Sequence, residues 1–278
     1  MILVTGATGN IGTELVRALS EAGQRVRAVV RDPAKAALPD GVEAVAGDLN
    51  KPETFAAALD GVRAMFLLPG YDNQDDLLDR AKRAGVDHVV LLSGGSAALE
   101  DLNNAVSSYM TLSERTVRAS GLSWTFLRPR AFMSNALRWL PQLAEGDVVR
   151  LDFPEVPLAS IDPADIAAVA AVALTGDDLT GRVLDLTGGA ALLPAEQVAI
   201  LGEVLGRPLV AQGLTHEESR AQMTATIPLK YVAAFFSFYV DGVLDETTVH
   251  PTVFEVTGRA PRTFEQWART HAEAFTPR

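Results

Sequence analysis

The feature that most narrows what this chain can fold into lies at its start. The apolar run Met1-Ile2-Leu3-Val4 leads into Thr5-Gly6-Ala7-Thr8-Gly9-Asn10-Ile11-Gly12, and an amphipathic pattern continues from there to residue 22. This is a Gly-x-x-Gly-x-x-Gly spacing held between a strand and a helix. Gly6 permits the tight turn, Gly9 lets the backbone approach a pyrophosphate, and Gly12 lets the helix pack closely on the sheet. The helix N-terminus, entered through Thr8, Gly9, Asn10 and Ile11, offers unpaired amides and partial positive charge to phosphates. The spacing predicts a dinucleotide site on a βαβ unit. The competing reading, an ordinary strand-to-helix turn, does not require three glycines at these intervals.

The rest of the chain keeps the rhythm that this start sets. Short apolar runs at residues 2–5, 26–30, 42–46, 64–68, 88–93 and 123–127 read as strands, separated by helical patterns at 11–22, 52–59, 75–84 and 104–120. Glycines 23, 61, 85 and 121 follow these helices, suited to left-handed C-caps. The alternation predicts an α/β fold, a Rossmann-type doubly wound parallel sheet. Strands such as residues 89–92 are apolar at successive positions, as expected when helices cover both faces. Past Arg128 prolines 129, 141, 154, 157 and 163 break the pattern. We therefore expect a cofactor-binding domain over residues 1–130. Residues 131–278 then form a mixed region with a smaller C-terminal substrate lobe, in which a helix at 166–174, a strand at 183–186 and a helix at 194–205 remain legible. The strand at 183–186 is expected to return to the main sheet.

Composition removes several alternatives. A net charge of −11 with no basic run argues against a nucleic-acid partner, since phosphate binding in bulk requires clustered Lys and Arg. There is no Cys, and the four histidines are far apart in sequence, so no metal is expected. No apolar stretch is long enough for a membrane span, and the first apolar run leads straight into the glycine motif, so a cytoplasmic protein is expected.

At the end of the second strand, where an acid would hold a free ribose hydroxyl, the sequence reads Val30-Arg31-Asp32-Pro33. Arg31 favours a 2′-phosphate, because a guanidinium pairs with phosphate and stacks on adenine while an acid would repel it. Lys35 adds a second charge. Both also read as solvated surface charges, and Asp32 offsets Arg31 in part. After the third strand, Gly47-Asp48-Leu49 is expected to bring Asp48 near the adenine amino group and Leu49 beneath its ring. The expected cofactor is NADP(H).

These motifs, with Ser120-Gly121-Leu122, Thr125-Phe126-Leu127-Arg128-Pro129 and Ile161-Asp162-Pro163-Ala164-Asp165-Ile166-Ala167, resemble the NmrA-like atypical short-chain dehydrogenases. That group includes quinone reductases, ketone reductases and redox-sensing regulators. The resemblance runs almost end to end. It implies nicotinamide near Leu68-Pro69, Ser93 and the loop Arg130-Ala131-Phe132, and a structural helix start at Asp165-Ile166-Ala167.

The sequence departs from the wider family in its acid–base pair. Short-chain dehydrogenases commonly protonate the nascent alkoxide with Tyr-x-x-x-Lys, yet no tyrosine here has Lys four residues later, and no Lys occurs between Lys82 and Lys230. Tyr109 is followed at that spacing by Ser113. Tyr109 and Ser93 remain as catalytic candidates, Ser93 through a hydrogen bond to a substrate carbonyl, each against a plain packing or turn role. Phe132, Met133, Trp139, Tyr231 and Phe235 are candidates to wall a flat aromatic substrate, or else core positions. An isolated ketone yields an alkoxide about as basic as hydroxide, whereas a quinone or phenol-conjugated ketone yields an anion nearer phenolate. The difference of roughly 5 to 6 pKa units is about 7 to 8 kcal/mol that the protein need not supply. The sequence thus points to an NADPH-dependent reductase of a quinone or ketone in an aromatic, polyketide-type molecule, with the proton from substrate or water. A non-catalytic NADP(H)-sensing regulator is the alternative.

Overall fold

The computed structural model describes residues 1–275. Its main sheet is built from β1 (Ile2–Val4), β2 (Val26–Val30), β3 (Glu43–Ala46), β4 (Ala64–Leu67), β5 (His88–Leu92), β6 (Ser123–Pro129) and, after a lobe that carries β7 (Val148–Leu151), β8 (Val183–Leu186). The order is β3-β2-β1-β4-β5-β6-β8, all parallel. The reversal of strand order beside β1 opens a crevice at the strands' carboxyl ends, the place where ligands bind in such sheets.

Alternating side chains within each strand serve two cores. Val4, Ala28, Phe66, Val90 and Leu127 face α1 (Asn10–Glu21) and α5 (Pro163–Thr175), which bury Leu15, Val16, Leu19, Ile166, Val169 and Ala170 against them. Leu3, Met65, Leu67, Val89 and Leu91 face the other way, onto Leu77, Leu78 and Ala81 of α2 (Gln74–Arg83) and Val117 of α3 (Ala105–Ala119). Because α5 supplies so much of the first core, the cofactor-bearing sheet is not complete at residue 130.

One predicted helix is shorter than its pattern. Over residues 52–59 the chain forms only a 3-10 turn, Pro52–Phe55, followed by a single further turn that buries Ala58 and Leu59. Gly61, in the left-handed region at φ +67, ends the segment before a second full turn can offset the cost of nucleation.

The lobe after β6 has cores of its own. β7 pairs in parallel with β9 (Val210–Gly213). Around that ribbon, α4 (Leu140–Glu145), α6 (Pro194–Leu205) and α10 (Phe264–Thr270) enclose Leu143, Leu151, Leu201, Phe264 and Trp267. A smaller cluster joins Phe153 to Met223 of α7 (His216–Thr224) and to Val232 and Phe236 of α8 (Leu229–Tyr239). The short α9 (Thr252–Thr257) covers β8 and α5.

The C-terminal segment is latched to the start of α5. Asp162 caps that helix by accepting from the Ala164 amide, and its other oxygen takes the Arg262 Nε at 2.7 Å. Asp165 accepts the Arg262 backbone amide at 2.7 Å. The Asp165 pKa is raised to about 6, chiefly by burial and in part by the neighbouring Asp162, with the Arg262 amide and charge opposing. A carboxyl raised in the folded state binds its proton more tightly there, so its effect on stability is unfavourable above about pH 6 and vanishes below the unfolded value near 3.8. Asp165→Asn keeps the acceptor and removes the charge. The variant should therefore be more stable than wild type at pH 8 and lose that advantage by pH 4, as read from urea midpoints across this range.

Candidate functional site

The site grows from the turn between β1 and α1. Gly6 adopts φ +63, and its own carbonyl accepts the Gly9 amide at 2.9 Å, which closes the turn. A Cβ on Gly12 would lie 2.0 Å from the Gly6 oxygen, so only glycine lets α1 press this close to the strand. Thr8, Gly9 and Asn10 are exposed, while the Ile11 side chain is buried in the core and only its backbone faces the turn. No side chain caps α1 and no acid occupies its first turn. In α3, α5, α7 and α10, by contrast, a side chain at the N-cap satisfies the first amides. The open end of α1 fits a pyrophosphate. Across the turn, the Asn10 amide donates to the Ser134 hydroxyl, and the Leu68 side chain lies over Gly6.

Arg31, Asp48 and Tyr71 share one neighbourhood at the ends of β2, β3 and β4. The Tyr71 phenol is raised by its burial and then by Asp48, and Arg31 pulls it the other way. Arg31 is exposed and has no ion pair among the described residues. Lys35 is instead paired with Asp32 at 3.0 Å, and Asp32 also caps the turn Pro33–Lys35. Asp32 is therefore occupied by Lys35 and the cap, which leaves the Arg31 guanidinium free for a 2′-phosphate. Asp48 accepts from the backbone and side-chain nitrogens of Asn50. Leu49 is buried among Val29 and Phe55, anchoring this corner from below.

At the nicotinamide end, Thr5 fixes the strand tips. Its hydroxyl donates to the Phe66 carbonyl and accepts the Leu68 amide at 3.1 Å, which aims Leu68-Pro69-Gly70 across the crevice. The Tyr109 ring covers Gly70, where an added Cβ would meet it at 3.2 Å, and Met110 covers Gly94 in the same way at 3.1 Å. Burial, with Tyr231 second, raises the Tyr109 phenol above its ordinary range. At the position where a lysine commonly stands, the buried Ser113 hydroxyl accepts the Gly70 amide at 2.9 Å. The helix position is thus used to hold a backbone turn and not to lower a phenol's pKa.

Ser93 is also committed elsewhere. Its hydroxyl donates to Glu114 at 2.7 Å, and the same carboxylate receives Nε and Nη2 of Arg128 at 2.8 and 2.7 Å. Ser93 is 1% exposed and Glu114 3%. With its proton on Glu114, Ser93 secures the end of β5 and has none left to donate to a substrate carbonyl. This Glu114–Arg128–Ser93 lock leaves no short-range sequence signal, because its members are 14 and 21 residues apart.

The aromatic candidates divide. Phe132 is half-buried against the main core. Met133 is buried in the second lobe, and Trp139 packs on that same core with Leu201 and Trp267, so neither joins an aromatic wall. Tyr231 and Phe235 lie one turn apart on α8, which the Asn104 amide at the start of α3 joins through the Ala234 carbonyl. Phe235 stacks on Tyr239 with ring centres 6.1 Å apart, and Phe153 adds an edge at 5.1 Å from Tyr239. Tyr239, also legible in the aromatic run of α8, and Phe153, which the sequence pattern did not single out, stand here in place of Met133 and Trp139. Among the described residues no cluster of His, Asp or Glu is arranged to hold a metal, and no helix is long and apolar enough to cross a membrane.

Fold and site together define a dinucleotide-binding α/β protein of the short-chain dehydrogenase type, without the usual Tyr/Lys pair. The NAD(P)H-binding family matches residues 6–177. The (4-alkanoyl-5-oxo-2,5-dihydrofuran-3-yl)methyl phosphate reductase of Streptomyces griseus is 40% identical over 282 residues, covering 100% of both chains. An NAD(P)H azoreductase of Xenophilus azovorans is 38% identical over 290 residues, covering 99% of each. Among solved structures, an NADPH-dependent quinone oxidoreductase from Escherichia coli superimposes with a TM-score of 0.80 at 24% identity, over 98% of this chain and 100% of that one. The chain belongs to the NAD(P)H-binding family, and its cofactor is a nicotinamide dinucleotide.

Replacing Arg31 by Ala should weaken NADPH binding by about tenfold or more while leaving NADH binding nearly unchanged, because it removes a charge-assisted phosphate contact. Titration of both cofactors by quenching of protein fluorescence measures this. Equal losses would remove Arg31 from the 2′-phosphate site.

Proposed function

We propose that this NADPH-dependent oxidoreductase transfers hydride to a quinone, or to a ketone carbonyl conjugated within an aromatic small molecule, and that the proton comes from the substrate or from water. The observation that carries the reading is that the serine hydroxyls beside the crevice are committed elsewhere and no lysine stands where it would lower the Tyr109 phenol. Ser113 holds the Gly70 amide, the Ser93 proton goes to Glu114, and the Tyr109 phenol is raised by burial. A site of this kind suits an acceptor whose product anion is already delocalised, since an isolated alkoxide would need an acid to take its charge.

Further support comes from the wall formed by Tyr231, Phe235 and Tyr239, which is flat and mostly apolar, and from relatives named as reductases of azo compounds and of an alkanoyl-oxo-dihydrofuran. The residues assigned to the cofactor are Gly6, Thr8, Gly9, Asn10 and Ile11 for the pyrophosphate and Arg31, Lys35, Asp48 and Leu49 for the adenosine end. Leu68, Pro69, Ser93, Arg130, Ala131 and Phe132 line the nicotinamide. Bound there, NADPH supplies the hydride, while the chain orients the acceptor against α8.

The test is NADPH oxidation followed at constant cofactor against a panel of quinones, phenol-conjugated ketones and simple aliphatic ketones. Turnover is expected for the first two classes and not for the third. Tyr109→Phe should keep kcat within a few-fold of wild type, because removing a true general acid costs about 10²–10⁴-fold in rate. A loss of that size with NADPH affinity intact would make Tyr109 the acid and admit unactivated ketones. Tight NADPH binding with no oxidation by any acceptor would favour the regulatory alternative, a protein that reports NADP(H) without turnover.

A further inference from the structure

A site without a free acid still has to hold the negative charge that hydride addition leaves on the acceptor oxygen. Arg130 offers a fixed positive charge at the right edge of the sheet. Its backbone amide donates to the Leu186 carbonyl, which seats it at the carboxyl ends of β6 and β8. The side chain is 9% exposed, and Nε and Nη1 have no hydrogen-bond partner. The guanidinium crosses to the end of β5, where a Cβ on Gly95 would stand 1.8 Å from Nη1. The chain therefore keeps glycine beside Ser93 and Gly94 to admit this group.

Leaving two guanidinium N–H groups buried and unpaired is costly for a purely structural arginine. The charges around it do not settle the cost. Asp185 approaches Nη1 at 3.5 Å, beyond a normal hydrogen bond, and is itself one-third exposed. Glu246 lies on the other side of the loop, where its carboxylate accepts the Ala131 amide at 3.0 Å, and burial raises its pKa.

We infer that Arg130 is the oxyanion holder of this enzyme, a guanidinium that stabilises the phenolate-like or enolate-like oxygen of the reduced acceptor. The inference rests on the reductase reading above. In the step, the acceptor gains hydride from NADPH, the electron pair of the opened π bond moves to its carbonyl oxygen, NADP⁺ is left, and water later protonates the oxyanion. Arg130 transfers no proton. A guanidinium remains charged at any working pH and has an unpaired N–H to present to the oxygen, so it fills the place of an acid by electrostatics.

The decisive measurement is the response to product-anion basicity. Across quinones graded by the pKa of their hydroquinones, Arg130→Met should lose little kcat/KM for the least basic product and progressively more, by about tenfold per unit of lost anion stabilisation, for the more basic ones. Arg130→Lys should lie between. A uniform deficit across the series, or none, would overturn the role and leave Arg130 as a β6–β8 clamp. A second readout needs no turnover: 4-nitrophenol titrated into the NADP⁺ complex. Wild type should bind the yellow phenolate about tenfold more tightly than the phenol, and Arg130→Met and Gly95→Ala should lose that preference. Absence of the preference in wild type would also overturn the inference. If no quinone is reduced but the phenolate preference and its loss are observed, the reductase reading fails while the anion site stands.

Discussion

The contact of α1 with the β1 turn governs much of this molecule. Gly12 brings the helix so near that a single added carbon would overlap the Gly6 carbonyl. This approach points the first amides of α1 into the crevice, and no side chain caps them. An uncapped helix end is a small liability in isolation. Here it is tolerated because the other side of α1 is clamped by the core it shares with α5. The stability of the phosphate turn is thus supplied by apolar packing on the far face of the helix, and the polar face is left free for a ligand.

At the other end of the crevice, a buried carboxylate organises what glycine organises at the first. Glu114 joins α3 to the ends of β5 and β6 through Ser93 and both available nitrogens of Arg128. Without Arg128 the buried Glu114 carboxylate would keep only the Ser93 hydroxyl and the longer Arg118 contact at 3.6 Å, an unfavourable arrangement for an interior charge. The lock fixes α3 in rotation, and that rotation puts Tyr109 over Gly70 and Met110 over Gly94. The helix that commonly carries a Tyr/Lys pair has therefore become part of the wall of the pocket. Under the proposed function, proton supply falls to the acceptor or water, and stabilisation of charge to the guanidinium beside Gly95.

Much of this was legible in the sequence, and the parts that were not have a common cause. The sheet, its helices and the phosphate turn follow from local periodicity and from glycines at fixed intervals, which physical chemistry reads over a few residues. The absence of Lys after Tyr109 is equally local. The Glu114 lock and the Asp162–Asp165–Arg262 latch depend on residues brought together across 14 to 100 positions, and no spacing rule reports them. Met133 and Trp139 were drawn toward the pocket by their chemistry, but the lobe has a core of its own that needed filling, and large apolar side chains serve that first. The reading of residues 52–59 as a helix erred for a related reason, since periodicity does not reveal that a segment is too short to propagate.

The two halves of the pocket differ in how firmly they are held. On one side are strand tips whose backbone is tied by Thr5, Ser113 and Glu114. Opposite them stands α8, which buries Val232, Ala234, Phe236 and Phe238. Phe153 holds its place with φ +50, a conformation unusual for a side chain of its size. Hydride transfer tolerates little error in position, so rigidity belongs beside the cofactor. The aromatic face of α8 is held instead by ring packing, Phe235 on Tyr239 and Phe153 against both Tyr239 and Phe236. Under the proposed function, the strand tips fix the geometry of hydride transfer, and the aromatic face of α8 helps to set which acceptors fit against it.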